Sequence, residues 1–169
     1  MQSPFPHLSA IALCLMIGSP AQASEEKATV TFESLTLEVA LELAQGALEK
    51  CRSEGFQAAV SVVDRSGNLQ VILRDRFAGP HTPDTSTRKA WTAVSFRTNT
   101  LDLAKATEKG EAWAIRLVKG ALPLGGGVQI EKGDGTLVGA VGVSGAPSGE
   151  NDEKCAKAGI AAIEDKIAF

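Results

Sequence analysis

The order of patterned segments in this sequence predicts an α+β domain, built as a three-layer α/β/α sandwich around an antiparallel sheet. Two observations carry that expectation. Short Val- and Ala-rich segments come in pairs, each pair joined by a tight turn cluster, Asp64-Arg65-Ser66-Gly67-Asn68 and Lys132-Gly133-Asp134-Gly135. Segments of helical period stand before the first pair, between the pairs and after the second. Strands joined through short turns run antiparallel. Helices placed before, between and after them are enough to cover both faces of a sheet.

The elements follow in chain order. Thr36 is a good N-cap residue, and Leu37, Ala40, Leu41, Ala44, Leu48 and Cys51 recur on one helical face up to a stop at Gly55. Gln57 to Val63 reads as a strand, and Leu69 to Arg74 as its hairpin partner. The segment Phe77 to Asp84, with Gly79, Pro80 and Pro83, is a loop by composition. It feeds a helix in which Thr82 is placed to cap and Pro83 to take the first helical position. Ala90, Trp91, Val94 and Phe96 give that helix its apolar stripe. Asn99 and Thr100 open a short second helix, Gly110 breaks it, and Ala112 to Leu117 continue in helical pattern to Gly120. Leu124 to Ile130 enters a strand, and Leu137 to Val143 returns with glycines alternating with Val and Ala. Glycines there point to close backbone approach or to a ligand face. After the loop Ser144 to Gly149, Asn151 or Asp152 caps a last helix, with Cys155, Ala158, Gly159, Ala162 and Ile163 along one side.

Composition narrows the chemistry. Ile11 to Ile17 is an apolar run too short to cross a bilayer as a helix, and Ala21-Gln22-Ala23 after it has the small-x-small pattern of a cleavage site. Residues 1–23 are therefore expected to be a signal peptide, 24–34 a lead-in and 35–169 the domain, in a periplasmic or secreted protein. An uncleaved anchor is the competing reading, since no Lys or Arg precedes the apolar run. Cleavage would remove both methionines, His7 and Cys14, leaving His81, Cys51 and Cys155, with no Met or Tyr. A zinc site of several His or Cys ligands is then excluded. Any catalytic imidazole or haem-ligating histidine must be His81. The net charge of −3 argues against a nucleic-acid binder. No second apolar span follows the first, so the mature chain is expected to cross no membrane.

Three groups of residues resemble the haem-degrading domain family, also called GlcG/HbpS-like and related to the C-terminal part of some cobalamin adenosyltransferases. The first is Ala59 to Leu69. The second is Ala78-Gly79-Pro80-His81-Thr82 with Arg88 to Ala93. The third is Gly125 to Val128 with Gly139 to Gly145, Asp152 and Ala156 to Gly159. Together they cover the chain from Leu35 onward. The resemblance implies a profilin-like, five-stranded antiparallel sheet with helices on both faces. It also implies homo-oligomers, octamers among them. Some members bind haem and some are reported to degrade it or to bind iron. Others stand among genes for hydroxy acids or diols. A fold does not carry function by itself.

The best candidate site is the loop 78–86, held by two prolines and ending at a helix N-terminus. Unpaired backbone N–H groups there stabilise an anionic group, a haem propionate or a small carboxylate. Thr82, Thr85 and Ser86 add hydroxyls, Phe77 and Trp91 an apolar wall, and His81 a ligand for haem iron or a proton carrier. A surface histidine beside an ordinary cap is the competing account. Arg88 and Lys89, with Arg97, form a basic helix face that either meets ligand carboxylates or is simply solvated. The Gly125-Gly126-Gly127 triplet brings Gly126 and Gly127 to a pocket wall or makes a bend into the strand. It lacks the strand-GxGxxG-helix order of a dinucleotide fingerprint. Ser144 to Gly149 reads as a structural helix entry. Cys51 and Cys155 either form a disulfide, which export permits, or remain two buried thiols. Three functions stay open: an exported small-ligand protein binding haem for storage, transport or degradation; an enzyme or accessory protein acting on a small hydroxy acid or carboxylate; and a non-catalytic oligomeric sensor or interaction protein.

Overall fold

The computed structural model describes residues 28–169, so the expected signal peptide and the first residues of the lead-in lie outside the described residues. Phe32–Phe169 forms one compact unit. It contains helix α1 (Leu37–Ser53), strands β1 (Ala59–Asp64) and β2 (Leu69–Arg74), helices α2 (Thr82–Phe96) and α3 (Thr100–Ala106), strands β3 (Gly127–Glu131) and β4 (Leu137–Ser144) and helix α4 (Gly149–Ala161). The sheet order is β2-β1-β4-β3, every pair antiparallel.

The two hairpins form as the turn clusters predict. Asp64 accepts from the Ser66 and Asn68 amides and from Asn68 Nδ2, and Gly67 takes a positive φ of 84°. Asp134 accepts from the Thr136 amide in the second turn. Long-range pairing of β1 with β4 then joins the hairpins and puts the most apolar strands at the centre. Ala59 to Val63 are all buried, as are Val138 to Ser144. Strands buried on both faces need helices on both, and the faces divide cleanly. Val60, Val62, Val141 and Val143 pack with α1 and α4, whereas Val63 and Ala140 pack with Ala90, Ala93 and Val94 of α2. The glycines of β4 serve close approach: a Cβ at Gly142 would overlap the Ser86 carbonyl of α2, and one at Gly139 the Val63 carbonyl.

Three expectations are corrected. The described residues form four strands, not five. The extended stretch before β3 sends its backbone groups to side chains instead of to a ladder. The Leu122 amide donates to Thr92 Oγ1 (2.8 Å) and the Leu124 carbonyl accepts from Thr100 Oγ1 (2.7 Å), while Pro123 has no amide to give. The caps also shift. His81, not Thr82, is the N-cap of α2, and Ser148, not Asn151 or Asp152, is that of α4. Thr82 Oγ1 instead donates back to the Gly79 carbonyl at 2.8 Å, and Ser148 Oγ accepts from the Asn151 amide. Finally, Glu111–Leu117 is a 3₁₀ helix with no buried residue, so Trp113 and Leu117 face outward.

Helices α1 and α4 meet through small residues. A Cβ at Gly159 would stand 2.8 Å from the Ala47 Cβ, and one at Gly46 2.9 Å from that of Ala162. At this contact Cys51 and Cys155 form a disulfide, with Cα atoms 5.4 Å apart and a sequence separation of 104 residues. Closing so long a loop stabilises by up to about 4–5 kcal/mol in the chain-entropy model. Reduction, or the Cys51→Ala/Cys155→Ala pair, is expected to lower the urea midpoint while leaving the far-UV circular dichroism of the native state unchanged. Thiol titration of the unfolded, unreduced domain checks the bond directly: neither Cys51 nor Cys155 should react.

Candidate functional site

A cavity of about 440 Å³ opens where α2 and α4 both begin, within the range of small-ligand pockets. Its rim carries His81 and Thr85 from α2, and its far wall is the loop Ser144 to Gly149. Leu122 and Leu124 supply the apolar side. Lys89 and Asp152 form the floor.

The floor is a buried ion pair. Lys89 Nζ lies 2.7 Å from Asp152 Oδ2, with the two side chains only 2% and 5% exposed. Lys89 also donates to the Val143 carbonyl at 3.0 Å, and Asp152 Oδ1 accepts from the Ala146 amide at 2.9 Å. Burial pushes the Lys89 ammonium below its ordinary value and the Asp152 carboxyl above its own; in each case the partner's charge opposes the shift. The pair thus joins four segments: α2, the end of β4, the loop after it, and α4.

The glycine triplet fits around this pair. Gly126 has a φ of 118°, and a Cβ there would stand 2.7 Å from the Asp152 Cβ and 3.1 Å from Lys89 Nζ. A Cβ at Gly127 would overlap the Lys89 carbonyl. Both glycines therefore stand behind the floor, as the tight approach into β3, and outside the cavity lining.

A family model described as "Haem degrading protein HbpS-like" matches residues 35–161. The chain belongs to the HbpS-like family. It is similar to the corrinoid adenosyltransferase PduO of Salmonella typhimurium, with 33% identity over 72% of the chain, and it spans only 37% of that relative's length. Among solved structures it resembles a double mutant of HbpS from Streptomyces reticuli at 38% identity and a TM-score of 0.77, covering 86% of this chain and 98% of that one. It also resembles a PduOC–haem complex at 30% identity and a TM-score of 0.70, covering 77% and 95%. The helix-covered antiparallel sheet agrees with these neighbours.

In this HbpS-like chain the structure brings together part of the residue set that the sequence singles out. His81, Thr82, Thr85, Arg88 and Lys89 line the cavity. Gly79 makes room for the imidazole, since a Cβ there would meet His81 Cε1 at 2.7 Å. Ser86 is buried behind the wall, bonded to Ser61 Oγ at 2.8 Å and to the Pro83 carbonyl at 3.0 Å. Phe77 is 78% exposed, away from the cavity and beside Arg76. Trp91 lines an adjoining groove with Arg88 and Lys119, its indole fitted against Gly67 and Gly120. Arg97 is exposed at the C-cap of α2, in the left-handed region with φ 48°. Asp152 and the loop Ser144 to Gly149 enter the site although the sequence reading assigned them to structure. One signal was available for Asp152: Lys89 falls on the buried face of α2 with Ser86, Ala90 and Ala93, and a buried lysine requires an acid partner.

Removing one member of such a pair leaves a buried charge without its partner and costs about 3–5 kcal/mol. Asp152→Leu and Lys89→Met are each expected to lose stability on that scale. The double variant Lys89→Met/Asp152→Leu should lose less than either change alone. Urea unfolding of the three variants and the parent checks this; additive losses would show that the two charges do not interact.

Proposed function

We propose that this chain is an exported haem-binding protein of the HbpS-like family, in which His81 would hold the iron. Its place of work is the periplasm or the extracellular medium, and it assembles as a homo-oligomer. The observation that carries the reading is His81 itself. It is exposed at the cavity rim, over a glycine that leaves its ring space, and it is the only histidine among the described residues. An imidazole that is both accessible and beside a cavity fits an iron ligand. Leu122 and Leu124 next to it offer apolar surface to a macrocycle, and Leu124 is 47% exposed. The likeness to a protein solved as a haem complex supports the same ligand. Export rests on the pattern of residues 1–23 and agrees with a disulfide inside the domain. With haem bound, the iron would supply ligand exchange or redox chemistry; the chain's own part is to present the imidazole and to shield one side of the ring. Storage, transport and degradation all begin with that binding step.

Titration of haemin into the purified domain is expected to give a saturable Soret shift, and His81→Ala to weaken binding at least tenfold with the fold intact by circular dichroism. An unchanged spectrum for His81→Ala would remove His81 from the role. Absence of any saturable shift in the parent would remove haem.

A further inference from the structure

We propose that the cavity floor is a carboxylate site, in which the remaining N–H of the Lys89 ammonium takes an oxygen of an organic acid and Arg88 at the rim supplies the charge. This inference extends the reading of the same cavity as a ligand site.

The Lys89 ammonium makes an incomplete set of hydrogen bonds. An ammonium has three protons and no acceptor of its own. Two of the Lys89 protons are used, by Asp152 Oδ2 and by the Val143 carbonyl. The third meets no protein acceptor among the described residues. The side chain is only 2% exposed, so bulk water does not bathe it. A buried donor left unmet, above all a charged one, costs more than a hydrogen bond contributes. The cavity is the space beside that group from which an oxygen can come.

Charge then selects the kind of oxygen. Asp152 is the only acid in the cavity lining, and it already balances Lys89. Arg88 is left over. Its guanidinium is held by the Gly120 and Ala121 carbonyls, at 3.4 and 3.2 Å. Its nearest carboxylate, Asp84, stands 3.8 Å off and is 76% exposed, so solvent screens that pair. With His81 neutral, the lining carries one net positive charge, and the guanidinium that bears it is already oriented. A guanidinium suits a carboxylate because it offers parallel N–H donors in a fixed plane. Thr82 and Thr85 do not compete for the role. Each spends its hydroxyl proton on a backbone carbonyl of its own helix start, which leaves their oxygens as acceptors for a hydroxyl on the guest. The guest that matches is a carboxylate, preferably one bearing a hydroxyl. Two sources offer that chemistry: a small free organic acid and a propionate arm of haem.

The experiment separates the two. In the first arm, propanoate, lactate and the neutral isostere propionamide are titrated into the full domain, followed by calorimetry and by the thermal midpoint. In the second, haemin is compared with its dimethyl ester by the Soret shift. Arg88→Gln is run in both arms, because Arg88 is partly exposed and its loss leaves the Lys89–Asp152 pair in place. A free-acid site is indicated if the acids bind saturably, propionamide does not, and Arg88→Gln weakens the acids at least tenfold. A propionate site is indicated if haemin binds at least tenfold more tightly than the ester and Arg88→Gln abolishes the difference. If the acids match propionamide, and haemin and its ester bind equally well, the carboxylate proposal is overturned while haem binding stands. If the acids bind and haemin does not, the haem reading falls and the carboxylate site remains.

Discussion

The structure around the cavity depends on one buried contact, the ion pair between Lys89 and Asp152. Taking two charges out of water costs several kcal/mol for each ion, and their attraction repays this only when geometry is good and further hydrogen bonds are made. Here the Val143 carbonyl and the Ala146 amide make them. The pair in turn dictates what surrounds it. Gly126 must lack a side chain to pass Asp152, and Gly127 must lack one to pass the Lys89 backbone. The same residues that bring β3 into the sheet thus also close the back of the cavity.

Helix α4 has to be held in place for Asp152 to reach Lys89, and the opposite layer does this. Asp152 lies three residues, just under one helical turn, before Cys155, whose disulfide ties α4 to α1. Gly46 and Gly159 let the two helices pack closely at that contact. On the other face α2 is seated by Ala90, Ala93 and Val94 and by the Ser61–Ser86 hydrogen bond. Helix α2 contributes its first two turns to the cavity, through Thr82, Thr85, Arg88 and Lys89, and α4 its first, through Gly149 and Asp152, and the sheet fixes the distance between the two starts.

Membership of the HbpS-like family accounts for this architecture and leaves the chemistry to particular residues. The rim offers an imidazole and the floor offers a charged donor that is only partly satisfied. These are different demands on a guest, one for a metal and one for an anionic oxygen. A ligand with both features would engage the two ends of the cavity at once, and one with a single feature would use a single end. Arg88 also borders the groove beside Trp91, so it connects the cavity to that groove.

Much of this was legible in the chain itself. Turn chemistry at Asp64 to Asn68 and at Lys132 to Gly135 located the hairpins, and helical spacing located α1, α2 and α4, because these signals are local. The loop with His81 was legible for the same reason: two prolines fix φ, and a glycine between strand and helix disfavours both, wherever they occur. The number of strands was not, since the stretch before β3 finds its partners in Thr92 and Thr100, 30 and 24 residues away in sequence. Nor was the role of Asp152, which in sequence is an acid in the first turn of a helix and in the fold is the counter-ion of a lysine 63 residues earlier. Spacing reports which face of an element a residue occupies. Which charge stands opposite a buried charge is decided only when two elements distant in the chain are packed together, because low dielectric makes that pairing costly to leave unmade.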